Sequence, residues 1–134
     1  MRLLHLVLPA LLLGGCAAAG HALGTTHETT THAGTDWSTS VSEYRGRVGQ
    51  HVTFACPPNP AREGLGTVWG AEVYTDDSAV CVAAVHAGRL SFERGGRVAV
   101  EIRPGQDGYR GTDWNGVVSQ PYGAWGGSFV FVER

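Results

Sequence analysis

Seven consecutive residues without a polar side chain, Ala79-Val80-Cys81-Val82-Ala83-Ala84-Val85, limit what this chain can fold into more than any other feature. They follow Thr75-Asp76-Asp77-Ser78, residue types that open helices, and the two acids suit a helix's positive end. His86 closes the run, and Gly88 stands where a left-handed turn would end a helix. The pattern predicts a helix over residues 78–86. Such a helix is apolar on every face yet far shorter than the ~20 residues that cross a bilayer, so its own domain must bury it.

The covering material reads as strands. Val52 and Phe54 flank Thr53 in a half-buried alternation that runs into Cys56 and is stopped by Pro57, Pro58 and Pro60. Residues 68–74 place Trp69, Ala71 and Val73 on one face. Val98, Val100 and Ile102 share a face opposite Ala99 and Glu101, and residues 128–132 alternate Phe129 and Phe131 with Val130 and Val132. Between these last two strands, residues 105–127 form a Gly-rich loop carrying Tyr109, Trp114, Tyr122 and Trp125. A buried helix with strands before and after it makes an α+β domain, expected over residues 44–134. A domain of about ninety residues buries only roughly 60–65% of its unfolded surface, so a covalent link matters.

The first forty residues differ in kind. Residues 3–13 are apolar apart from His5 and Pro9, and as a helix they would span roughly 16 Å, half a bilayer's hydrocarbon. That length fits the core of an export signal over residues 1–15. Leu13-Gly14-Gly15-Cys16 resembles the bacterial lipobox, in which small residues admit the peptidase and the cysteine thiol accepts a diacylglyceryl group. Acylation of Cys16 would consume one of the three cysteines and leave Cys56 and Cys81 as one pair in an oxidising space. Residues 16–43 set His21, His27 and His32 among threonines and glycines with no apolar period, and read as a flexible spacer. Those histidines lack a fourth ligand or a fixed spacing, so neither a metal nor another cofactor is expected. All ten cationic residues are arginine, against twelve acidic ones, and a net charge of -2 offers no footprint for nucleic acid.

At the helix the sequence resembles a known family. Val68-Trp69-Gly70-Ala71-Glu72-Val73-Tyr74-Thr75-Asp76-Asp77-Ser78-Ala79-Val80-Cys81-Val82-Ala83-Ala84-Val85-His86-Ala87-Gly88 is similar to the signature of the LCCL domain. Gly95-Gly96 before a Val-rich strand, Tyr109, Asn115-Gly116-Val117-Val118-Ser119, and Trp125 with Ser128-Phe129 follow in the family's order. The resemblance implies a central buried helix wrapped by short antiparallel β-strands and a Cys56–Cys81 disulfide. The cysteines of the family's usual second disulfide are missing here. It further implies an extracellular recognition module with no shared enzymatic activity, for which lipopolysaccharide or other surface ligands have been proposed in some members.

His86 is either a general base or a last-turn residue bonding to free helix carbonyls. Asp76 and Asp77 are either an acid/base pair or helix caps, and Ser78 and Ser119 lack any nucleophile-elbow context. The loop is the least ordinary feature: Trp114 between Asp113 and Asn115 either packs under the loop or stacks on a sugar, and Arg110 suits a phosphate or carboxylate. Tyr109, Arg110, Trp114 and Asn115 are therefore the expected ligand-binding residues. The chain reads as a non-catalytic binding or structural module, lipid-anchored to a bacterial envelope and facing the periplasm or exterior. Its expected partners are a glycan, a lipopolysaccharide-like lipid headgroup or an envelope protein, and not nucleic acid. The alternative is a small envelope hydrolase centred on His86 with Asp76 or Asp77.

Overall fold

The alternation of Val52, Phe54, Val98, Val100, Ile102, Phe129 and Phe131 gives three neighbouring strands one buried face in a computed structural model that describes residues 28–133. In chain order the elements are β1 (Thr29–Thr31), a 3₁₀ turn (Ser42–Tyr44), β2 (His51–Cys56), β3 (Gly70–Ala71) and β4 (Val73–Thr75), followed by α1 (Val80–His86). Then come β5 (Gly96–Gln106), β6 (Asp113–Trp114), β7 (Val117–Val118) and β8 (Trp125–Phe131). Six strands join in the order β1-β2-β5-β8-β4-β3, and β6 and β7 form a separate small hairpin. Register aligns the apolar residues across the sheet: Phe54 faces Val98, Val52 faces Val100, Val100 faces Phe131, and Ile102 faces Phe129.

The sheet departs from the expected set of short antiparallel strands in two ways. Its β1–β2 pair is parallel, which makes it mixed, and β5 runs for eleven residues. The α+β class stands.

Helix α1 starts two residues later than the sequence pattern places it, and all seven of its residues are buried. The expected caps do not cap. The N-cap position is Ala79, and no side chain bonds to the first turn. Main-chain carbonyls from neighbouring segments take the free donors instead: Val80 N–H donates to Thr39 and Ala79 N–H to Thr67. Gly88 exits the helix at φ 76° as expected, and Arg89 N–H donates back to the Ala84 carbonyl. The disulfide joins Cys56 at the end of β2 to Cys81 in α1, with Cα atoms 5.8 Å apart.

The flexible spacer needs correction over the part that can be seen. Residues 28–43 belong to the folded domain. Thr29–Thr31 form β1, Trp37 is buried with its Nε1 donating to the Pro57 carbonyl, and Val41 is fully buried. His32 stacks on Phe54 and lies within hydrogen-bond distance of the Tyr44 hydroxyl and the Glu43 carboxylate. The expected signal segment, Cys16, His21 and His27 lie outside the described residues. Among the described residues, no helix is long and apolar enough to cross a membrane.

Candidate binding site

The loop between β5 and β8 is held by its own polar groups, and this sorts the four expected ligand-binding residues into two pairs. Tyr109 is buried: its hydroxyl accepts the Gln106 N–H at 3.0 Å and donates to the Trp125 carbonyl at 3.3 Å, pinning the loop to β8. Asn115 adopts a left-handed conformation at φ 54° and its Nδ2 donates to the His86 carbonyl at 2.8 Å, closing the helix end. Tyr109 is thus spent on the framework, whereas Asn115 bonds to the helix end and stays exposed.

Arg110 and Trp114 remain at the surface. Trp114 is half-buried and stacks on the His86 ring, with centroids 5.0 Å apart and planes 23° from parallel. The Arg110 guanidinium lies 5.6 Å from the Trp114 ring centre and 3.6 Å from the Glu72 carboxylate. Trp114 borders a groove of about 460 Å³ whose other lining residues include Glu72, Arg89, Arg103 and Glu133, with Tyr74 and Phe131 among the apolar ones. An aromatic face beside charged donors and acceptors suits a hydroxyl-rich ligand, because apolar sugar faces stack while hydroxyls bond at the edges.

His86 and Asp76, paired in the hydrolase alternative, belong to separate hydrogen-bond networks. His86 is 0% exposed, and its Nδ1 lies 2.8 Å from the Tyr74 hydroxyl and its Nε2 2.9 Å from Thr112 Oγ1. Burial pushes its pKa down, which keeps the ring neutral, though the Thr112 carbonyl acts in the opposite sense. Asp76, 1% exposed, belongs to a different network. Burial alone would raise its pKa, but two 2.6 Å bonds from Arg45 and one of 2.8 Å from Trp125 Nε1 outweigh this and hold it low. Arg45 also lies over the Trp125 ring at 5.0 Å. Gly127 makes room for this cluster, since a methyl group there would collide with the Asp76 carboxylate. Ser78 and Ser119 bond to the main chain around Trp69 and Thr112. These side chains hold the framework together.

Four lining residues of the groove escape a reading based on motifs. Arg103 lies one step from buried Ile102 on β5, so strand alternation signals its outward position. Glu72, at φ 67° between β3 and β4, has no sequence signal of that kind. Arg89 and Glu133 are far apart in sequence and meet at 2.8 Å only through the fold.

Comparison with known proteins agrees with this frame. A family model described as the LCCL domain matches residues 26–129. Vitrin of Bos taurus is 44% identical over 78 residues, covering 58% of this chain and 12% of its own length. Clotting factor C of Tachypleus tridentatus is 34% identical over 96 residues, covering 72% of this chain and 9% of its own. Cochlin of Cavia porcellus is 43% identical over 78 residues, 58% of this chain and 14% of its own length. The similarity thus reaches one short region of each much longer relative. Because the family match takes in most of the sequence and the fold places its Cys56–Cys81 link as expected, the chain belongs to the LCCL domain family.

Proposed function

We propose that this LCCL domain is a non-catalytic module that binds a glycan in the groove beside Trp114, held at a bacterial envelope membrane by a lipid on Cys16. The groove carries the ligand half of the reading: a half-buried indole beside Glu72, Arg89 and Arg103. The anchoring half rests on the apolar run before Leu13-Gly14-Gly15-Cys16. The disulfide supports an oxidising, extracytoplasmic setting, since thiols stay reduced in most cytosols. Separate networks around His86 and Asp76 favour binding over hydrolysis.

An oligosaccharide array probed with residues 28–133 tests the ligand, alongside lipopolysaccharide and envelope protein extracts as competing outcomes. Trp114→Ala should weaken glycan binding by about 1–2 kcal/mol, a usual effect of losing a stacked aromatic. Trp114→Phe, which keeps a ring over His86, should recover part of it. Glycan binding unaffected by either change would rule out the groove. The anchor is tested separately: the full chain should partition into detergent with an acylated N-terminal cysteine, and Cys16→Ser should abolish this. A mature N-terminus beginning beyond Cys16 would refute it.

A further inference from the structure

Arg89 borders two further hollows besides the groove, and neither is lined by Trp114. One, of about 720 Å³, opens on the turn between α1 and β5 and is lined by Arg89, Ser91, Arg94 and Arg97 together with glycines and Leu90. No carboxylate lines it. The other, of about 230 Å³, lies where β2, β5 and β8 meet, with Thr53, Val98, Ala99, Phe131 and Val132 on its walls together with Glu133, whose carboxylate accepts from Arg89. Arg89 and Arg97 line both.

Three guanidinium groups around one hollow are unexpected in a chain of net charge -2. Arg89 is partly committed, donating to the Val132 carbonyl and the Glu133 carboxylate. Arg94 and Arg97 form no ion pair among the described residues, and both are exposed. Glu93 lies on the same turn but does not line the hollow. The Ser91 hydroxyl accepts the Arg94 N–H at 3.3 Å and keeps its own hydrogen to donate.

The turn is held in place before any ligand arrives. Gly95 N–H donates to the Ser91 carbonyl, and Gly95 at φ 60° passes so close to β2 that a methyl group would strike the Cys56 carbonyl. Cys56 is fixed in turn by the disulfide. Guanidinium groups present paired N–H donors that match the oxygens of a phosphate, and a preset turn lowers the ordering cost of binding one.

We propose that residues 88–97 bind the phosphate of an alkyl phosphate, whose apolar chain enters the adjoining 230 Å³ hollow between Phe131 and Ala99. The two hollows share Arg89 and Arg97, which makes them neighbours on the surface. This site shares Arg89, Phe131 and Glu133 with the glycan groove but not Glu72, Arg103 or Trp114, and it differs in ligand chemistry.

Calorimetry and amide NMR shifts with inorganic phosphate, hexyl phosphate and hexanol test it on the full chain. Hexyl phosphate should bind at least about tenfold more tightly than inorganic phosphate, because burying a few methylenes adds that much, and it should shift residues 88–99. Hexanol, without the anion, should bind at least about tenfold more weakly than hexyl phosphate. The double substitution Arg94→Gln, Arg97→Gln should weaken hexyl phosphate by about tenfold or more with an unchanged unfolding curve. Should the double variant fail to fold, Arg94→Gln alone, on the exposed turn, should still weaken it by about threefold. Trp114→Ala should leave this affinity within about twofold, which separates the site from the glycan reading. Equal affinity for inorganic and hexyl phosphate would overturn the two-part site. Equal binding by wild type and the arginine variants would overturn the site altogether.

Discussion

His86 and Asp76 show how single side chains that look catalytic are consumed by the framework. His86 lies neutral beneath Trp114 with both ring nitrogens within hydrogen-bond reach of Tyr74 and Thr112, and burial lowers its pKa. In the unfolded chain the same ring takes a proton near pH 6.5, before the folded state does. The unfolded state then holds more protons, so stability should be fully present above that pH. It should fall as pH drops from about 6.5 and level off below the folded value. Urea midpoints measured from pH 8 to pH 5 should show this decline, and His86→Gln should flatten it; an identical slope in the variant would refute the assignment. Asp76 behaves in the opposite range: its folded pKa is held below the ordinary 3.8 by Arg45 and Trp125, after offsetting burial. Its contribution is present above that ordinary value and lost as pH falls through the folded pKa. Asp76→Asn should cost about 2 kcal/mol, below the usual figure for breaking a buried pair, because Arg45 is 44% exposed and the amide oxygen still accepts from Trp125. Chemical denaturation with an unchanged m value is the check.

At the scale of elements, the decisive link is between β2 and α1. A helix of seven residues has little stability of its own, and α1 lacks a side-chain cap. Its donors depend on the Thr39 and Thr67 carbonyls, and its position depends on the Cys56–Cys81 bond across 25 residues of sequence. Closing a loop of that length stabilises by roughly 3 kcal/mol in the chain-entropy model. The double variant Cys56→Ala, Cys81→Ala should therefore lose roughly that much by equilibrium denaturation, with α1 amides exchanging faster than those of β5. Uniform protection across both elements would mean the helix is held by packing alone.

For the whole molecule, residues 28–43 belong to the folded domain. Trp37 packs on Phe92 and bonds to Pro57, Val41 N–H donates to the Asp76 carbonyl, and β1 extends the sheet beside β2. A chain starting at Tyr44 removes all three. It should lose cooperative unfolding or most of its stability, since truncating one buried Trp side chain alone costs about 3–5 kcal/mol. A chain starting at Glu28 should unfold in a single sharp transition by circular dichroism. If the shorter chain unfolds as sharply and at the same temperature, the segment is dispensable.

Local pattern is enough to give the α+β class, the burial of the apolar helix and the left-handed exit at Gly88, because periodicity and glycine conformation are properties of neighbouring residues. Strand alternation likewise sets Val52 and Phe54 apart from Thr53, and Val98, Val100 and Ile102 apart from Glu101, and the sheet buries those five. Local pattern misplaces what depends on partners distant in the chain. Trp37 and Val41 stand alone among polar residues, so no period announces their burial. Asp76 has the composition of a cap, yet it pairs with Arg45, 31 residues away, and Asn115, which has that of a ligand contact, closes the helix end. The groove beside Trp114 and the arginine hollow at residues 88–97 were invisible for the same reason: each is assembled from several elements that meet only when the sheet forms, and a side chain's partners are fixed by that meeting and not by its neighbours in sequence.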